Sequence, residues 1–287
     1  MFVFPWLKLA EFHLGHPVAL NEVKRLPPVR HRNWVKAAAV IGGVEFLLTL
    51  PGCWVPFVHW LWRLPTILVS ATVISREVED RTWTPVLSTP LTLRDIVMAK
   101  YAAIFHYMEP VTTTITYIRA VPLVVIGATW LASTLTVLPR AGLGYWAETT
   151  LAVLAAGIYF MLAPFLDVAV DGAIGLLASA ISPHRSTAVA MAVLARATGW
   201  LLPLALAAPL QYGQYGAFGG LFSGLQPDLA TLRALAIVAT FGPAYAFPWG
   251  IPAWTSIVMV VVGVVLRLAL VRLLLELTII RAARIEV

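Results

Sequence analysis

The chain has 287 residues, 60% of them hydrophobic and 12% charged, with a mean hydropathy of +0.85. No water-soluble domain needs that much apolar surface, and no polar stretch is long enough for an independent soluble domain. The formal net charge is +6. Its placement, traced below, follows membrane topology and argues against nucleic acid as a partner. The single Cys53 excludes an internal disulfide and leaves the compartment open. The pattern Gly-x-x-x-x-Gly-Lys-Ser/Thr is absent, so any ATP hydrolysis belongs to another chain.

Residues 1–33 read as a cytoplasmic tail rather than a signal peptide, because Lys8, Glu11 and His13 interrupt any apolar core. Within it, residues 16–25 spell a short amphipathic helix ended by Pro27-Pro28, suited to the membrane surface. Residues 34–287 read as one all-α, polytopic membrane domain of six spans. The first span is Val35–Val55, with Glu45 near its middle. The second is Pro56–Ser75, where Arg63 is expected to snorkel toward headgroups. A polar block, 76–100, follows. The third span starts at Tyr101 and runs to about Leu131, with Glu109-Pro110, Arg119 and Pro122 expected to kink or divide it. Pro139–Glu148 reads as a loop. The fourth span is Thr149–Ile181, with a kink expected at Pro164. A tight turn at 182–186 leads to the fifth, Thr187–Leu210. Residues 211–252 read as an outer loop holding short re-entrant helices, and Trp254–Ile280 is the sixth span.

Positive charge sets the orientation. With both termini cytoplasmic, fourteen Lys/Arg fall inside and three outside. Counting the apolar run 229–247 as a full span would send Arg281 and Arg284 outside. It is therefore read as re-entrant. The expected location is the plasma (inner) membrane, multi-pass, with the lipid bilayer as a partner.

Charges at bilayer depth mark function or interhelical pairing. The set here is Glu45, Glu109, Asp167, Asp171 and Arg196. Asp167 and Asp171 are four apart and share a helix face. Counted from the turn at 182–186, Asp171 and Arg196 reach the same depth of an antiparallel hairpin, which predicts an ion pair. Glu109 and Arg119, ten apart, do not share a face. No metal site or catalytic residue is expected. Asp167-x-x-x-Asp171 matches the diphosphate-binding string of membrane prenyltransferases, but the second acidic motif those enzymes need is absent. His59 and His106 sit at span ends, where polar histidines are commoner than tetrapyrrole ligands.

The block 76–100 carries the most specific signal. It holds Arg76, Glu77, Glu79, Asp80, Arg81 and Thr82, then Leu87-Ser88-Thr89-Pro90-Leu91-Thr92, then Asp95-Ile96-Val97 and Lys100. Thr82 is placed to cap a short helix that Pro90 ends. Thr92, three residues before Asp95, spells a capping box opening the next helix. The predicted unit is a helix-turn-helix on the membrane surface.

This block resembles the cytoplasmic segment of ATP-binding-cassette type-2 transporter permeases. There an acidic–basic run is followed by Gly-Thr, by Leu-Leu-Ser-Thr-Pro-Leu, and by Asp/Glu-Ile-Val-x-Gly-Lys. Arg81 and Ala99 replace the two glycines, and Pro85 is an addition. The resemblance implies a subunit without covalent chemistry or bound cofactor, paired with a second copy or a related permease. ATP and Mg would lie on a separate ABC ATPase subunit, touched by Glu77, Asp80, Thr82, Leu87, Ser88, Thr89, Pro90, Leu91 and Asp95. The function implied is that of an ATP-driven exporter working by alternating access. Its cargo is unspecified, and the apolar, aromatic-rich spans favour an amphipathic or lipid-like one. The alternative is an accessory subunit of a larger membrane complex.

Overall fold

The computed structural model describes residues 17–25, 63–212 and 253–285, with scattered positions between 33 and 44. Glu45, His59, most of the first expected span and the 211–252 region beyond Tyr212 lie outside the described residues. Among the described residues the secondary structure is helical, without strands. The helices are α1 (Pro17–Arg25), α2 (Leu64–Ser70), α3 (Val73–Glu79), α4 (Trp83–Leu87), α5 (Leu93–Ile181), α6 (Arg185–Tyr212) and α7 (Ala253–Ala282).

The chain divides into two compact units. The first comprises Met1–Arg119, Pro164–Ala195 and Leu268–Val287. The second comprises Ala120–Ala163 and Arg196–Arg267.

Helix α5 runs through 89 residues, including Pro139–Glu148, which sequence composition assigns to a loop. Proline costs one ladder hydrogen bond but keeps a helical φ, and the flanking apolar residues are good helix formers. A straight rod of that length would measure roughly 130 Å. Yet the Tyr101 hydroxyl donates to the Ala169 carbonyl at 3.1 Å. The two ends of α5 are therefore neighbours within the first unit. Ile104 lies beside Gly172, and Met108, Val111 and Ile115 pack with Val168, so 93–119 and 164–181 run antiparallel.

Helix α2 runs parallel to the returning segment: Arg63 meets Asp171, Ser70 meets Gly175, and Ile74 meets Ser179. A Cβ on Gly175 would come within 1.8 Å of Ser70 Oγ and 2.9 Å of the Ala71 nitrogen, so only glycine permits this approach. The second expected span is not one helix, because α2 ends at Ser70 and α3 starts at Val73. The main core gathers Ile74, Trp83, Ile96, Val97, Ile104, Ala173 and Leu176, closed by Val271 and Leu275 of α7. Ala178 and Ala192 pack with Ile67 and Ala71 on the other side of α2.

Met161–Ile181 is long and apolar enough to cross a membrane, and 72% of that window is buried inside the protein. In the second unit, the Arg267 guanidinium sits 5.6 Å from the centre of the buried Tyr159 ring.

Candidate functional site

The polar block folds as α3, α4 and the opening of α5. Asp80 and Arg81 end α3 by a paired set of backbone bonds: Thr82 N–H donates to the Glu77 carbonyl at 2.8 Å and Arg81 N–H to that of Val78 at 3.1 Å. This is a Schellman closure, whose left-handed residue is normally glycine. Here Arg81 holds it, with φ of 55°. It is also the position where the resembled pattern has its first glycine. Thr82 precedes α4 as expected but makes no side-chain cap; its hydroxyl lies 3.4 Å from the Glu77 carbonyl. Pro85 falls in the first turn of α4, where a missing N–H costs nothing. α4 ends at Leu87, three residues before Pro90. Thr92 and Asp95 form the complete capping box at the start of α5.

What this segment offers to a partner is narrower than the sequence implies. Thr84, Pro85, Leu87, Ser88 and Pro90 are exposed, with Thr82, Thr89, Leu91 and Asp95 half-buried. Trp83, one residue after the cap, is buried in the core and anchors the segment from beneath. Glu77, expected on the contact surface, is turned inward and only 3% exposed.

Glu77 belongs to a charge cluster that joins α1 to the block. Lys100 Nζ, fully buried, donates to Glu77 Oε1 at 2.8 Å and to Glu22 Oε2 at 3.1 Å. Arg76 donates to the other oxygen of Glu22 at 2.5 Å, and Arg25 reaches Glu77 Oε1 at 3.4 Å. Two buried carboxylates thus face three cations. Glu77 Oε2 is buried without a hydrogen-bond partner among the described residues. Burial pushes the Glu77 carboxyl above its ordinary pKa, outweighing the opposing pull of Lys100.

A second cluster ties the end of α3 to the start of α6. Glu79 accepts from the Arg185 backbone N–H at 3.0 Å and pairs with its guanidinium at 2.7 Å; Asp80 pairs with the same guanidinium. A carboxylate at a helix N-terminus also complements the helix dipole. Asp80 is therefore engaged within the chain, though half its surface is open. Arg94 and Glu276 make a third, exposed pair at 2.5 Å, linking α5 to α7.

At the start of α2, beside the returning part of α5, lies another buried charge cluster. Arg63 forks onto Asp171 at 2.7 and 2.9 Å and stands 3.4 Å from Asp167. All three are 3% exposed or less. This overturns the expectation that Arg63 snorkels to the surface. Two carboxylates one helical turn apart match the planar guanidinium, and the match offsets the cost of burying the charges. The pair expected between Asp171 and Arg196 joins residues of different units; within the first unit, Asp171 pairs with Arg63. Glu109 is exposed and pairs with His106 at 3.1 Å, one turn away. Among the described residues no group of acidic, histidine and cysteine side chains has the geometry to hold a metal ion.

Arg63 and Glu22 are the residues that sequence reasoning missed. The one available signal for Glu22 was an acidic residue on an otherwise basic amphipathic helix, and for Arg63 a basic residue within an apolar run. Compared with known proteins, the chain matches no family model and no curated sequence.

Proposed function

We propose that this chain is the membrane-spanning permease subunit of an ATP-driven, ABC-type exporter. In this reading it spans the plasma (inner) membrane six times, with both termini in the cytoplasm. It pairs with a second copy or a related permease and rests on a separate ATPase subunit, which holds ATP and Mg. ATP-driven closure of the ATPases moves α4 and the bundle above it, and alternating access carries the cargo, an amphipathic or lipid-like molecule. One observation carries the reading. The block 76–100 presents a short helix whose outer face, Thr84, Pro85, Leu87 and Ser88, is free, while its inner face is anchored by Trp83 and the Schellman and capping-box closures. That is the construction of a rigid knob for a groove in another protein. The antiparallel passes of 93–119 and 164–181 and the fourteen-to-three charge bias support the topology.

Affinity purification in mild detergent, followed by mass spectrometry, tests it. The expected result is a stoichiometric ATPase chain, with recovery cut about tenfold or more by Leu87→Glu, as for a central interface residue. Co-purification with electron-transfer or pigment proteins and no ATPase would replace this reading with that of an accessory subunit.

A further inference from the structure

The 93–119 pass of α5 buries Met108, Val111 and Ile115 and turns His106 and Glu109 outward, with side chains 48% and 51% exposed. The two pair with one another, Nδ1 to Oε2 at 3.1 Å. The half-buried Thr113 and Thr116 continue the same outer face, and Tyr117 beside them is 72% exposed. Thr112, Thr114 and Thr116 return their hydroxyls to carbonyls one turn back, at 2.9, 2.7 and 2.8 Å. The Thr113 hydroxyl makes no hydrogen bond among the described residues.

This polar face stands deep. Ile104 lies beside Gly172 and Met108 packs with Val168, so His106 and Glu109 are level with the buried Arg63–Asp171 fork. Glu109 follows the exposed Arg94 by roughly 22 Å of helix. In the six-span reading the headgroup layer takes about 5–8 Å of that length, and Glu109 comes near the middle of the hydrocarbon core. Lipid tails are the wrong neighbour there, because ionisable groups at that depth are costly and face protein or water.

The spacing selects protein. His106, Glu109, Thr113 and Thr116 are three, four and three residues apart, the a/d repeat of two helices packed in parallel. Two copies of one chain in the same membrane, related by a two-fold axis along its normal, present α5 to α5 in parallel with like positions level. The face is complementary to itself under that operation. Each Glu109 then lies between its own His106 and that of the second copy, in a closed ring of two carboxylates and two imidazoles. Threonines permit close helix approach, and the free Thr113 hydroxyl gains an acceptor across the contact.

We propose that the outer face of α5 formed by His106, Glu109, Thr113 and Thr116 is where two copies of this chain meet within the membrane. The contact rests on the permease reading above and narrows its pairing to a second copy joined along this face.

Oxidative cross-linking in native membranes tests it, with Thr113→Cys as the single cysteine on a Cys53→Ser background and Val265→Cys as the control. Thr113→Cys is expected to give a covalent dimer, and Val265→Cys to stay monomeric. Thr116→Cys serves if Thr113→Cys does not fold. Adding His106→Glu leaves four carboxylates at the contact, and adding Glu109→Lys leaves four bases. Either alone is expected to cut the dimer about tenfold. Co-expression of the two is expected to restore it, because the mixed pair is complementary. A cysteine at 113 that stays monomeric, or that reacts at once with aqueous maleimide in intact vesicles, overturns the contact. An undiminished dimer in either charge variant, or none regained by mixing them, also overturns it. The same preparation is assayed for an ATPase chain: its presence without the cross-link removes this contact alone, and the absence of both removes the permease reading with it.

Discussion

Arg81 occupies a backbone conformation that costs an L-residue with a side chain roughly 1–2 kcal/mol relative to glycine. Its side chain is exposed, so little opposes its removal. Arg81→Gly is expected to stabilise the protein by about 1 kcal/mol, read as a raised midpoint of unfolding in detergent; a lowered midpoint would mean that the arginine makes a contact worth more than the strain. Glu77 gives a pH test. Its folded-state pKa is raised, so the unfolded chain releases this proton first. The stability contributed by protonated Glu77 is present below the ordinary value of 4.5 and is lost as pH rises toward the folded value. Wild-type protein should therefore lose stability relative to Glu77→Gln as pH climbs through that window, in paired thermal melts; the opposite slope would mean that Lys100 dominates. The sequence made some of this legible. The Thr92–Asp95 capping box was readable because its partners are three residues apart. The Arg63–Asp171 fork was not, since its members are 108 residues apart and only the tertiary fold brings them together.

At the scale of elements, the crossing of α2 on the end of α5 depends on one hydrogen atom. Gly175→Ala would drive a methyl group into Ser70 and the Ala71 backbone, and is expected to cost about 3 kcal/mol or more, because backbone cannot yield as a side-chain tip can. At Gly172 the nearest atom is a Tyr101 ring carbon 3.4 Å away, and alanine there should change stability by less than about 1 kcal/mol. Unfolding of the two variants side by side checks the contrast, and equal effects would refute the crossing. Helix existence was largely readable from apolar periodicity and caps: α6 and α7 fall within two residues of the expected fifth and sixth spans. Helix interruption was not. The chain continues as helix through Pro139 and Pro164, yet breaks at Ala71–Thr72, where local propensity gives no warning. Proline reports only a missing donor, whereas the break depends on a hydroxyl more than a hundred residues away.

For the whole molecule, α7 supplies a clear outward face. Val258, Val261, Val265, Leu266, Leu273 and Ile280 are each about half exposed or more, along a helix that ends at Arg281 and Arg284. Thirty helical residues measure roughly 45 Å, enough to cross a hydrocarbon core of about 30 Å. If lipid covers this face, Val265→Cys on a Cys53→Ser background should resist aqueous maleimide in intact vesicles, while the exposed position 284, as Arg284→Cys, reacts in opened ones. Rapid labelling at position 265 would put water, not lipid, against α7. The overall helical class was readable from composition alone, but the carboxylate that docks α1 was not, because its partners are supplied by residues still to come.

That delay has a consequence for biosynthesis. Lys100 lies 78 residues after Glu22. At roughly 5–20 residues per second, the ribosome supplies it about 4–16 s later. Throughout that interval α1 carries a carboxylate whose eventual lysine does not yet exist. The N-terminal helix therefore cannot take its final seat as it emerges. It docks only once the polar block has followed the second apolar run out of the ribosome, and its docking marks the completion of the first third of the chain.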